Sequence, residues 1–183
     1  MSMSNKSSQK ILVLYASWKG SSGEVSKRIA DLLRQHQYSA DCMDIQSNTD
    51  PLIYDAMIIG GGIRGGCFHP KLIRFIRRYE KKLSQIPVAY FVVCLTMHEN
   101  TKENRCLASK FIQTLKQKAP LIDPISVGLF GGMINVRNFS IIMRWLIRFM
   151  NLPQGDFRDW NSIEQWAVQT GSLIQASMKR NRR

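Results

Sequence analysis

The sequence predicts an α/β domain built on a doubly wound, five-stranded parallel sheet covered by helices on both faces. Three observations lead there. Short β-branched and aliphatic runs alternate with amphipathic helical stretches along the chain. The runs are too continuously apolar for half-exposed strands. Loops rich in glycine and serine follow them, as ligand-binding loops do at the carboxyl ends of parallel strands.

The first run, KILVLYA at Lys10 to Ala16, reads as a central strand, and a Gly/Ser-rich loop follows at once. From Ser22 to His36, Val25, Ile29, Leu32 and Leu33 recur at three- and four-residue spacing and form one face of a helix. Ala40 to Ile45 and Ala56 to Gly60 are the next strands. Pro70 to Leu83 is a basic amphipathic helix opened by proline. Val88 to Leu95 is an eight-residue apolar run bounded by polar loops, Asn104 to Lys118 a helix, and Ile125 to Phe130 the fifth strand. Phe139 to Met150 reads as an extra apolar-basic helix near the C-terminus, and Ser162 to Met178 as the closing helix. The expected organisation is a disordered polar leader at 1–9, one domain at 10–178 and a basic tail at 179–183.

A length of 183 residues with 44% hydrophobic content suffices for one self-sufficient core. Cys42, Cys67, Cys94 and Cys106 form no CxxC pair and have no histidine at ligand spacing, which points to reduced thiols, not to a metal site. His36, His69 and His98 are likewise too far apart to suggest a metal cluster. The opening segment lacks the apolar stretch of a secretory signal, and Arg144 and Arg148 interrupt the longest candidate span. A soluble or peripheral protein is expected. A formal net charge of +13 attracts polyanions or anionic lipid.

Between the first strand and helix lies Ser17-Trp18-Lys19-Gly20-Ser21-Ser22. A helix N-terminus offers unpaired N–H groups, glycine permits close approach, and the hydroxyls of Ser17, Ser21 and Ser22 add donors, so the loop suits a phosphate. The same serines also suit plain helix capping. The spacing is neither GxxxxGK[ST] nor GxGxxG, which excludes a P-loop and a dinucleotide fingerprint. Gly60-Gly61-Gly62-Ile63-Arg64-Gly65-Gly66 follows the third strand and can run closely along a flat ligand, with Ile63 and Arg64 over an aromatic face. Leu95-Thr96-Met97-His98-Glu99-Asn100 follows the fourth and would hold the ligand's second face, where His98 could supply a proton.

On YASWKGSS at 15–22, IIGGGIRGG at 58–66 and the strand at 88–95, the sequence resembles the flavodoxin-like proteins. Within that superfamily it is most similar to the menaquinone-dependent protoporphyrinogen IX dehydrogenases, through Ile63-Arg64, Gly66, His69, the Leu107 to Phe111 segment and RWLIRFM at 144–150. The resemblance spans about Lys10 to Leu173. It implies strand order 2-1-3-4-5 and non-covalent FMN. Ser17, Trp18, Lys19, Gly20, Ser21 and Ser22 would surround its phosphate, with Gly62, Ile63, Arg64 and Gly65 on one side of the ring and Leu95, Thr96, Met97, His98 and Asn100 on the other. It further implies flavin-based chemistry without an obligatory catalytic side chain, passing electrons from protoporphyrinogen IX to a quinone. Two departures bear on substrate. The loop after the fourth strand is short for that family, and Gly131 to Val136 is glycine-rich and apolar where arginines and aromatics are expected.

Arg137, Arg144 and Arg148 share one stripe of the late helix, which either packs on the sheet with its arginines at the rim or lies on a bilayer. With quinone as acceptor, the second option implies a cytoplasmic protein peripheral on the inner membrane's cytoplasmic face. The alternatives are an FMN-dependent quinone reductase or electron carrier with the same cofactor, in which case no porphyrin site is needed, and, more remotely, a nucleic-acid-binding protein. No nucleic acid is expected as partner, because no binding motif accompanies the charge.

Overall fold

The computed structural model describes residues 10–18, 21–47, 50–134, 142, 145, 149 and 154–180. The leader at 1–9, Lys19, Gly20, most of the late apolar-basic helix and the last three residues of the basic tail lie outside the described residues.

Five strands form the main sheet: β1 (Lys10–Ala16), β2 (Ser39–Asp44), β3 (Ala56–Gly62), β4 (Val88–Cys94) and β5 (Ser126–Gly131). All pairings are parallel and the order is β2-β1-β3-β4-β5, as expected. Every residue of β4 is buried, the signature of a strand covered on both faces. Alternation along the strands divides the core in two. Leu12, Leu14, Met57, Ile59, Tyr90 and Val92 face one side, while Ile11, Val13, Ile58, Phe91 and Val93 face the other.

Helix α1 (Ser21–Gln35) covers the second side with α5 (Trp160–Arg180), and α2 (Pro70–Arg78), α3 (Glu80–Leu83) and α4 (Lys102–Lys118) cover the first. The helix expected at 70–83 is two helices, because Tyr79 leaves helical geometry (φ −105°, ψ 14°) although its N–H still bonds the Phe75 carbonyl. Helix α4 starts two residues earlier than its apolar periodicity suggests. Thr101 caps it, accepting a 3.1 Å bond from the Asn104 N–H.

A short antiparallel pair, β6 (Met133–Ile134) with β7 (Gly155–Asp156), was not foreseen, since two-residue strands leave no periodic signal. Its two strands flank residues 135–153 in the sequence and bring Ile134 and Gly155 together. Of the late helix only Ile142, Trp145 and Phe149 are described. They are helical and 83%, 73% and 76% exposed.

Candidate functional site

The strand order puts β1 and β3 side by side while their following crossovers run to opposite edges of the sheet. A crevice therefore opens above their carboxyl ends, where ligands of doubly wound sheets bind. Three segments meet there: Ser17 and Trp18 after β1, 63–69 after β3 and 95–101 after β4.

The start of α1 is packed tightly under the first loop. Ser22 is 2% exposed, and its carbonyl accepts a 2.7 Å bond from Ser26 Oγ. A Cβ on Gly62 would stand 2.7 Å from Ser22 Oγ, so this hydroxyl lies at the junction of the β1 and β3 loops. Half-buried Ser17 and Ser21 complete the hydroxyl set. No acidic side chain occurs from Ser17 to Ser22. The nearest, Glu24 in the first turn of α1, is held by Arg158, whose Nη1 donates to it at 2.6 Å.

Arg158 is a residue that the sequence does not single out. Its side chain is 6% exposed. It donates to both oxygens of Asp156, at 2.7 and 2.6 Å, and its guanidinium lies 4.7 Å from the Trp160 ring centroid. These hydrogen bonds raise the Arg158 pKa and hold the Asp156 carboxyl below its usual range. The β6–β7 pair is thereby pinned to the first turn of α1.

The β1 and β3 loops touch through aromatic and cationic groups. Trp18, 37% exposed, packs against His69 with centroids 4.5 Å apart, and the Arg64 guanidinium lies 5.4 Å from the indole centroid. The Gly-rich segment does three separate jobs. Gly60 and Gly61 continue β3, Gly62 clears Ser22, and Gly65 and Gly66, with φ of 56° and 77°, make the two-residue turn that lets Arg64 and Cys67 exchange backbone hydrogen bonds. Ile63 is half-buried and its N–H extends the ladder to the Val93 carbonyl.

On the other side, Leu95–His98 forms a 3-10 turn. Leu95 and Thr96 are half-buried, Met97 is buried in the core, and exposed Asn100 accepts a bond from Arg105. His98 Nδ1 lies 3.0 Å from the Leu95 carbonyl, and its ring meets Phe157 edge-on. A cavity of about 120 Å³ adjoins this turn on its β5 side, lined by Met97, His98, Asn100, Phe157 and Asp159 among others.

The crevice suits FMN. It offers a helix N-terminus with a buried hydroxyl for the phosphate, a glycine whose missing side chain keeps that hydroxyl in place, and Trp18 and Ile63 for a flat apolar ring. Of the predicted residues the structure brings together Ser17, Trp18, Ser21, Ser22, Gly62, Ile63, Arg64 and Gly65 around β1 and β3, with Leu95, Thr96, Met97, His98 and Asn100 after neighbouring β4. Lys19 and Gly20 are outside the described residues.

Comparison with known proteins agrees with this geometry. The chain is 25% identical to a protoporphyrinogen IX dehydrogenase [quinone] of Leishmania major over 181 residues, covering 91% of this chain and 76% of that one. It is 21% identical to the protein of the same name from Escherichia coli (strain K12), covering 90% and 96%. Oxidised flavodoxin 1 from Bacillus cereus shares the fold, with a TM-score of 0.56 at 17% identity over 92% of this chain and 98% of that one. A flavodoxin from the domain Archaea does so with a TM-score of 0.58 at 11% identity, over 91% and 99%. The flavodoxin domain model matches residues 12–161, from β1 into the first turn of α5. Because that match takes in all five strands of the main sheet and the three loops of the crevice, the chain belongs to the flavodoxin-domain family.

Proposed function

We propose that this protein is an FMN-dependent oxidoreductase that oxidises protoporphyrinogen IX to protoporphyrin IX and delivers the electrons to a quinone at an anionic membrane surface. The observation that carries the reading is similarity along nine-tenths of the chain to two proteins named for that reaction, joined to a crevice fit for FMN. When bound, FMN supplies the transfer of reducing equivalents between organic substrate and quinone.

The chain's own residues bind and orient. Ser17, Ser21, Ser22 and the N–H groups opening α1 hold the phosphate. Ile63 and the turn at Gly65 support one ring face, and the 95–100 segment borders the other. Arg64 and Lys102 are cations available for substrate carboxylates, Arg64 being held over Trp18. His98 is the candidate proton carrier. Its Nδ1 lies 3.0 Å from the Leu95 carbonyl. Unchanged flavin potential and turnover in His98→Ala would remove it from the mechanism.

Among the described residues no helix is long and apolar enough to cross a membrane. Ile142, Trp145 and Phe149, exposed and spaced by three and four, support peripheral contact on the cytoplasmic face of the inner membrane. The uncharged Gly131–Ile134 stretch favours one alternative, a quinone reductase or flavodoxin-type carrier using the same cofactor. The visible spectrum of FMN-supplied protein, followed by turnover of protoporphyrinogen IX with menaquinone, decides between them. Quinone-dependent turnover supports the dehydrogenase reading. A flavin spectrum without turnover moves the function to the alternative, and no bound flavin refutes both.

A further inference from the structure

The positive charge is distributed unequally over the fold. On the α2–α3–α4 side of the sheet, six Lys and Arg on α2 and α3 and five on α4 stand against only Glu80 and Glu103. On the opposite side, three on α1 and two on α5 stand against Glu24, Asp31 and Glu164. There the charges are also paired with one another, Arg28 with Glu164 and Arg34 with Asp31. None of the six cations on α2 and α3 forms a salt bridge among the described residues. Glu80 is engaged elsewhere, accepting from the Leu121 N–H.

This basic layer is exposed and ordered by the helix period. Lys71, Arg74 and Arg78 recur at three and four residues on the side of α2 away from buried Leu72 and Ile76, and Arg77 and Lys81 extend the exposed charge. A charged stripe that only solvates a helix ordinarily alternates in sign; this one does not. Its position relative to the crevice is also set by the fold. The 63–69 loop runs directly into α2 and the 95–101 loop directly into α4, so both basic helices begin at the rim of the cofactor site.

We infer that the α2–α3–α4 layer is the docking face for an anionic lipid bilayer and holds the mouth of the crevice at the membrane surface. The inference rests on the quinone-linked reading in one respect, that a lipid-borne acceptor must reach the crevice. Lipid fits this face better than nucleic acid does. Single strands need exposed stacking aromatics beside the cations, whereas Phe75 and Tyr79 of this layer are half-buried against the core, and its exposed large apolar side chains are Leu107 and Leu121, at 47% and 58%. Phosphodiester headgroups meet the cations, and the two leucines reach the acyl boundary.

The test uses the FMN-loaded 183-residue protein in sedimentation with phosphatidylcholine vesicles, with and without phosphatidylglycerol. Two triple variants change the net charge equally: Arg74→Glu/Arg77→Glu/Lys81→Glu on the basic layer and Lys27→Glu/Lys179→Glu/Arg180→Glu on the opposite one. Retained flavin absorbance reports that each is folded. The wild type is expected to partition onto phosphatidylglycerol-containing vesicles and to be released by salt. The basic-layer variant should lose partitioning by about a hundredfold or more, and the opposite variant by less than about threefold.

Equal losses in both variants would overturn the inference, since net charge alone would then govern binding. So would undiminished binding by the basic-layer variant, or retention on single-stranded DNA at a salt concentration that releases the vesicles. Failure of the wild type to bind any vesicle would overturn this inference together with the membrane part of the proposed function. Turnover with a water-soluble quinone analogue tests the reaction separately.

Discussion

Removing the Arg158 side chain tests whether the β6–β7 pair is fastened to the cofactor helix as the structure has it. The guanidinium makes two charge-assisted bonds to Asp156 and one to Glu24, and it stacks on Trp160. In a buried setting each such bond contributes roughly 1.5–3 kcal/mol. Here the acids are 42% and 56% exposed, so water re-solvates them once the arginine is gone and each bond is worth about 0.5–1 kcal/mol. Loss of the cation–π contact and of the packed stem adds about 1 kcal/mol.

Arg158→Ala is therefore expected to destabilise the protein by about 2.5–4 kcal/mol, lowering Tm by about 5–16 °C for a domain of this size. Urea unfolding of the FMN-free protein measures it, and a cycle with Glu24→Gln isolates the long-range pair, expected to couple by about 0.5–1 kcal/mol. The sign of the pH dependence follows from Asp156, whose folded pKa is lowered, chiefly by the Arg158 bonds. Its contribution is present above the ordinary carboxylate pKa and lost as pH falls through the folded value, so acidification should cost the variant less than the wild type. A change below about 0.5 kcal/mol, or strict additivity with Glu24→Gln, would refute the pin.

Ser22→Ala should weaken FMN binding about 10- to 100-fold, the value of one charge-assisted donor. Gly62→Ala should do comparable harm by displacing the same Oγ, whereas the double variant should bind no worse than Ser22→Ala, as flavin-quenching titrations would show. Tyr54 is pushed up to about 12 by burial and its bond to Asp41. Its stabilising contribution is therefore complete below the unfolded value near 10 and lost as pH rises towards 12, a slope that Tyr54→Phe should flatten in denaturant midpoints measured across that range. Exposed Cys67 and Cys106 should be alkylated first by iodoacetamide at pH 8, followed by peptide mass spectrometry. Burial pushes Cys42 up to about 11 and also raises Cys94, so both should react slowly.

Much of this molecule is encoded locally. Burial of β4 on both faces makes Val88 to Cys94 an unbroken apolar run, and α1 shows its core face in the spacing of Val25, Ile29 and Leu33. Such patterns suffice for element type, and their alternation suffices for a parallel, two-layered sheet. Ser17 to Ser22 offers a candidate anion site, or plain helix capping, to a reader of the sequence because those hydroxyls are consecutive residues at a strand-to-helix turn. The resemblance to flavodoxin-like proteins supplied the strand order and the cofactor.

What the sequence does not disclose is set by contacts between distant positions. Glu24 and Arg158 are 134 residues apart, and nothing in either neighbourhood shows that they meet. Trp18 finds Arg64 and His69 only because parallel pairing of β1 with β3 puts their loops together. Tyr79 breaks a helix that the apolar period carries straight through. The net charge of +13 is a sum over the chain, and only the tertiary structure decides that, among the described residues, the six cations of α2 and α3, none in a salt bridge, lie together on one side of the sheet. Periodicity reports which face of an element is buried; which elements share that face, and which charges are left outside it, depends on how the whole chain packs.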